Sequence, residues 1–384
     1  MRTEVFLTRT AAYLPFAPVA NEEIEDVLGQ IGGKPSRARR LVLRNNGIES
    51  RHYAIDRATG EPAMTNAQLT AAAVRLLGTS GEIGKIDCLA TGTSLPDQLM
   101  PNHAVMVHGE LGWPRLEVVS CAGICLAGTV ALKHAWLTLR AGEGRRAVAT
   151  GSELASPILL ARNFELESEH RIAALEAHPE IAFEKDFLRW MLSDGAGAVL
   201  LETTPRAPLS LRIDWIELSS AAHELPACMY AGAAKNADGT LRGWLRFSPE
   251  QWATMSIFAV KQDVRLLNDS VRRATLRDPL VELVQKRKLR ADDIDWFLPH
   301  LSSQFFVQPM TEALADAGLP IPRERWFSNL TSKGNTGSAA PFIMLDELFH
   351  SGRIEPGHKL LMFIPESGRF SSGFVSMEAV KGTV

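Results

Sequence analysis

The sequence predicts an α/β layered fold in which one plan is used twice. Short apolar runs alternate with amphipathic helical stretches over most of the 384 residues, the pattern of buried strands separated by helices. Each half closes on a Gly-rich turn followed by an apolar strand: Ser193-Asp194-Gly195-Ala196-Gly197-Ala198-Val199 and then Ser371-Ser372-Gly373-Phe374-Val375. Between them, Thr203-Thr204-Pro205-Arg206-Ala207-Pro208 breaks the periodicity. These observations divide the chain into residues 1–205 and 206–384, two similar halves rather than a short-period solenoid.

In the first half, Ile86–Thr91, Leu116–Ser120, Ala147–Thr150 and Gly197–Leu201 read as strands, with helical patterns over Ala67–Leu77 and Ala122–Leu139. In the second half, Ile294–Leu298, Leu360–Ile364 and Gly373–Met377 read as strands, and Gln304–Ala317 and Ala340–His350 as helices. Residues 157–190, charge-rich and helical, and residues 220–260, with Gly, Asn, Trp and Pro in no clean period, fit neither half. Both read as insertions of the kind that shape access to a site.

Composition narrows the function. The 41 Lys+Arg against 44 Asp+Glu leave a net charge of −3, without the basic footprint of a nucleic-acid binder. No apolar run reaches the length of a membrane helix, and the acidic start Met1-Arg2-Thr3-Glu4 lacks the pattern of a signal peptide, which points to the cytoplasm. Four cysteines, Cys88, Cys121, Cys125 and Cys228, make no disulfide framework. The spacing of Cys121 and Cys125 lacks the second pair that a zinc site needs. Neither a metal nor a cofactor is expected.

Three residues stand where chemistry collects. Cys121 follows a strand and opens the Ala122–Leu139 pattern, a helix N-terminus where the dipole favours thiolate. Cys125, one turn further, reads as packing. His300 follows Leu298-Pro299 at a strand's C-terminal end; His134 lies over three turns down the Cys121 helix, and His103 sits in an unrelated segment. Asn335 lies in the Gly-flanked loop Lys333-Gly334-Asn335-Thr336-Gly337, where an amide donates without adding charge. Cys, His and Asn together supply a nucleophile, a proton or hydrogen-bond partner and an oxyanion donor.

Val118-Val119-Ser120-Cys121-Ala122-Gly123, Leu298-Pro299-His300 and Gly334-Asn335-Thr336-Gly337-Ser338-Ala339-Ala340 resemble, in order, the three motifs of β-ketoacyl-acyl-carrier-protein synthase III; Asp194–Ala198 and Arg44–Arg51 resemble two further signatures. The resemblance implies the thiolase fold, two halves in five αβαβα layers, and a homodimer. It makes Cys121 the acyl carrier and gives His300 and Asn335 the enolate and oxyanion. It places Met100, Phe305 and Phe370 at the substrate pocket, and Arg40 and Arg44 at the contact with carrier protein or coenzyme A. Arg37–Arg44 lacks the Trp that stacks on adenine in the housekeeping member. Gly32–Ser36, Asn46–Asp56, Pro96–Pro101 and Pro299–Phe306 resemble the ketosynthase–cyclases of dialkylresorcinol and stilbene formation. That group joins a β-ketoacyl thioester to an α,β-unsaturated acyl thioester and closes a cyclohexanedione. Glu153, just after Ala147–Thr150, is a candidate auxiliary proton-transfer group, or else a carboxylate that helps a helix dipole. The rival readings are a linear synthase that uses malonyl carrier protein, an acyltransferase to oxygen or nitrogen, a papain-like protease lacking that family's signature, and a non-catalytic partner subunit.

Overall fold

The computed structural model describes residues 3–36, 39–164 and 188–382. Its centre is a nine-stranded sheet. In chain order the strands are β1 (Phe6–Tyr13), β2 (Cys88–Thr93), β3 (Glu117–Ala122), β4 (Arg146–Glu153), β5 (Gly195–Glu202), β6 (Leu209–Ser220), β7 (Trp296–Pro299), β8 (Lys359–Glu366) and β9 (Ser371–Lys381). Their order across the sheet is β7-β8-β9-β6-β1-β5-β4-β2-β3. Read outward from the middle, one side runs β1, β5, β4, β2, β3 and the other β6, β9, β8, β7. Each side uses the same antiparallel, antiparallel, parallel sequence of pairings. Among the described residues the C-terminal side has no counterpart of β3. The sides join where only Phe6 and Leu7 pair with Arg212 and Leu211.

Helices α1 (Arg39–Asn46), α2 (Asn66–Arg75), α3 (His103–Leu111), α4 (Ala127–Ala141), α5 (Val264–Val271), α6 (Asp278–Arg287), α7 (Val307–Asp316) and α8 (Ala340–His350) complete the layers. The strands read as near-continuous apolar runs because both faces of the sheet are covered. Leu69 and Ala73 of α2 and Val107 of α3 pack on Leu89, Val148 and Leu200. Leu132 of α4 and Leu345 of α8 form a middle layer between Ala90 and Ala149 on one side and Ile213 and Met362 on the other. Leu280 of α6 and Leu314 of α7 cover Phe297 and Leu361. The result is helix, sheet, helix, sheet, helix.

The middle layer sits unusually close to the strands. A Cβ on Gly92 would lie 2.2 Å from the Ala127 backbone, and one on Gly151 would lie 2.2 Å from the Ser338 carbonyl oxygen. Only glycine fits there.

Two expectations change. The helix expected from Ala122 begins at Ala127, because β3 continues through Ala122 in parallel register with β2, Cys121 opposite Gly92. Most of the 157–190 insertion lies outside the described residues. The 220–260 insertion forms small two-stranded pairs, Ala233–Lys235 with Leu241–Gly243 and Met229–Tyr230 with Lys261–Gln262, and a capped helix over Pro249–Thr254.

Candidate active site

The extension of β3 changes which cysteine meets the cavity. Cys121 lies in an edge strand, facing the middle apolar layer beside Val119, and burial pushes its thiol above the usual range. It neither opens a helix nor lines the cavity that holds His300 and Asn335. Cys125 does line that cavity, with Met191, Met229, Gln262, Ser302, Phe306 and Ser367. It lies between β3 and α4, one residue before the helix N-cap Leu126. The structure therefore brings together Cys125, His300 and Asn335 and leaves Cys121 outside. The thiolate expected at Cys121 finds no support, and the same holds at Cys125. Burial drives the Cys125 thiol well above its ordinary value, and the carboxylates of Glu366 and Glu153 push it further. It rests as a thiol.

His300 leaves β7 with its backbone N–H donating to the Phe363 carbonyl oxygen at 2.8 Å. Its ring is buried and Nε2 has no partner. Burial lowers its pKa to about 4, so at neutral pH it is an uncharged imidazole. Asn335 is pinned on three sides. Its N–H donates to Met191 at 3.0 Å, its carbonyl accepts from Ser193 at 2.9 Å, and its side-chain Oδ1 accepts from the Gly337 N–H at 3.0 Å. With Oδ1 engaged, Nδ2 is the end left to donate into the cavity. The wall thus offers a thiol and two neutral polar groups with hydrogen-bonding capacity to spare.

Glu153, at the end of β4, is buried, with Ser94 Oγ on Oε1 and the Ser338 N–H on Oε2. Burial lifts its pKa to about 7. It does not line the cavity; it holds the turn that follows Asn335. Asp194 of the first Gly-rich turn is also an anchor, accepting from the N–H groups of Ala54, Ala155 and Ser156.

The remaining expected residues scatter. Phe306 lines the cavity, whereas Phe305 is 59% exposed and meets Phe306 edge to face. Phe370 is fully buried behind the wall, packed with Leu267 and Val271. Met100 is 85% exposed and touches no described cavity of this chain. Arg40 and Arg44 lie one turn apart on the exposed face of α1, whose end meets the His300 loop where Ser303 Oγ donates to the Asn45 carbonyl oxygen at 3.3 Å. Away from the site, Cys88, Glu117 and His134 have ligand atoms within 4.8 Å of one another at the far ends of β2 and β3; there Glu117 and His134 pair at 3.2 Å.

The sequence reads Cys125 as packing, although it lines the cavity, and gives no part to Glu366, which holds the loop around it. The available signal was Gly123, which costs a helix interior about 1 kcal/mol and argues against a helix that starts at Ala122. Glu366 accepts from the N–H groups of Ile124 at 3.0 Å and Leu126 at 2.9 Å. That contact crosses more than two hundred residues and leaves no local trace.

Residues 284–370 match the family described as 3-oxoacyl-[acyl-carrier-protein (ACP)] synthase III, C terminal. Over nearly the whole chain the structure is similar to solved proteins of the thiolase fold. AbyA1, a tetronic acid condensing enzyme, is 20% identical with a TM-score of 0.70, over 97% of this chain and 99% of that one. The 3-oxoacyl-(acyl carrier protein) synthase III FabH of Pseudomonas aeruginosa PAO1 is 18% identical with a TM-score of 0.69, over 99% and 100%. OleA of Xanthomonas campestris, in a variant with bound lauric acid and lauroyl-CoA, is 19% identical with a TM-score of 0.71, over 98% and 100%. Among the described residues no helix is long and apolar enough to cross a membrane.

Proposed function

We propose that this chain, whose residues 284–370 match the 3-oxoacyl-[acyl-carrier-protein] synthase III family, is an acyl-transferring, carbon–carbon bond-forming enzyme of that kind, a ketosynthase–cyclase with Cys125 as its acyl carrier. It joins a β-ketoacyl thioester to an α,β-unsaturated acyl thioester and delivers a cyclohexanedione, the precursor of a resorcinol. The single observation that carries this reading is the meeting of Cys125, His300 and Asn335 on one cavity.

Acylation comes first. The Cys125 sulfur attacks the acyl carbonyl, its proton leaves with the departing thiol, and a new thioester forms. The second thioester then places its carbonyl oxygen between His300 Nε2 and Asn335 Nδ2. Both donors are neutral and fixed before the reaction, so negative charge that develops on that oxygen meets dipoles already in place. One such donor is typically worth about 3 kcal/mol.

The substrates arrive on acyl carrier protein or coenzyme A. Arg40 and Arg44 suit the anionic phosphopantetheine end, since α1 abuts the His300 loop. The working form is a homodimer assembled along β3. That strand is one edge of the sheet, and Leu99 and Met100 of the same half are 69% and 85% exposed, an apolar surface a second copy would cover. Met100 then reaches the partner's acyl pocket.

Product mass spectrometry with two substrate sets tests the reading. A cyclohexanedione from the β-ketoacyl and 2-unsaturated acyl thioesters supports it. A linear β-ketoacyl product from a short acyl thioester and malonyl carrier protein alone returns the chain to ordinary fatty-acid priming.

A further inference from the structure

A condensation that uses a β-ketoacyl thioester, with no carboxylate to expel, needs a group to take the α-proton. The cavity wall is poor in bases. Asn335 has none, Cys125 carries the acyl group, and His300 is a weak base engaged as a donor. Two carboxylates act on Cys125, those of Glu153 and Glu366. Glu153 has both oxygens occupied and opens on no described cavity. Glu366 differs. Its Oε2 takes the N–H groups on both sides of Cys125, and the residue lines a separate groove of about 690 Å³, walled by Ile124, Leu225, Pro226 and Leu241. Met229 belongs to both the groove and the cavity of Cys125. Pro365 and Ser367 line the cavity of Cys125, whereas Glu366 between them turns to the groove, so its carboxylate stands behind the Cys125 loop, at the wall between that loop and an open groove built largely by the 220–260 insertion.

We propose that Glu366 is the general base of the condensation and that the β-ketoacyl thioester reaches it along this groove. The proposal rests on the ketosynthase–cyclase reading above. The carboxylate takes one α-proton and becomes the carboxylic acid. The resulting carbanion attacks the carbonyl carbon of the acyl-Cys125 thioester, a carbon–carbon bond forms, and the carbon–sulfur bond breaks. The departing thiolate recovers the proton from Glu366, so both groups return to their starting states. Burial raises the carboxyl's pKa, which makes it a stronger base than a surface glutamate.

Glu366→Gln tests this, because an amide oxygen still accepts the Ile124 and Leu126 N–H groups but cannot take a proton. Acylation of Cys125 is followed by intact-protein mass, and condensation by single-turnover product formation across pH. The expected result is a fall of at least about 100-fold in condensation, loss of its ascending pH limb, and a much smaller change in acylation. Glu366→Asp, which keeps a carboxylate, should restore part of the rate and covers the case in which the Gln variant does not fold. An equal fall in both steps would make Glu366 a clamp on the loop only, and no fall would remove it from the reaction; either result overturns the proposal. Failure of the functional reading would show separately, as absence of ring product from the wild-type enzyme.

Discussion

Glu153 and Glu366 close equivalent strands of the two halves, β4 and β8, and each faces the first residue of the strand that follows, Gly195 and Ser371. Both are buried glutamates whose negative charge bears on the same thiol. Yet one is sealed among Ser94, Ser338 and the Gly337 turn, while the other borders an open groove. The two halves thus supply the same residue at the same place, and the surroundings decide what it does. The N-terminal one supports a loop. The C-terminal one holds a loop too, but has a way out to solvent.

The largest expected effect concerns Cys125, the thiol on which both glutamates bear. Cys125→Ala should abolish self-acylation, with a loss on the order of 10³-fold or more in turnover, whereas Cys121→Ala should retain the acylated form and cost roughly 1 kcal/mol of stability. Intact-protein mass after incubation with an acyl thioester separates the two, and acylation surviving in Cys125→Ala would return the role to Cys121. Next come the neutral donors. His300→Ala and Asn335→Asp should each lower condensation by about 10²- to 10³-fold while leaving acylation far less affected.

Glu153→Gln sharpens the comparison through stability. The folded chain holds this proton up to about pH 7, whereas an ordinary glutamate loses it near 4.5. Folding therefore binds an extra proton between those values, and stability falls as pH rises through them, by on the order of 3 kcal/mol. The Gln variant should remove that loss, so its melting temperature should gain on wild type at pH 8 but not at pH 4.5. A ring yield near wild type would confirm that it holds a loop rather than moves a proton. His300 has the opposite slope: with its pKa lowered from 6.5 to about 4, stability falls as pH drops through that window, and the slope should weaken in His300→Gln. The smallest effect is at Met100. Met100→Trp should shift acyl chain-length preference while turnover with the preferred substrate changes little, because the side chain is 85% exposed on its own chain and acts only at the partner's pocket; unchanged preference would make it plain surface.

Periodicity carried the fold well. The strands predicted at Ala147–Thr150, Gly197–Leu201, Leu360–Ile364 and Gly373–Met377 all lie inside observed strands, and Ala340–His350 matches a helix end to end, because buried strands and a packed helix face impose their own periods on apolar residues. His300 and Asn335 were legible because each follows a chain-local signal, a strand end and a Gly-flanked loop. The cysteine expected at the site, Cys121, lies four residues before Cys125, the one that shares a cavity with His300 and Asn335. An apolar run with two cysteines looks the same whether strand or helix claims Cys121, and what decides is the pairing of β3 with β2. Glu366 was beyond reach for a related reason: its partners belong to the other half of the chain.

The close seating of the middle layer on Gly92 and Gly151 has a consequence for variation. Neither glycine has any reactive group, yet a single methyl at either would lift α4 or the Asn335 loop off the strands. In a saturation-mutagenesis screen scored by product, these two silent positions should therefore tolerate as little change as the residues that touch substrate. A map of intolerance would outline the support beneath the chemistry as sharply as the chemistry itself.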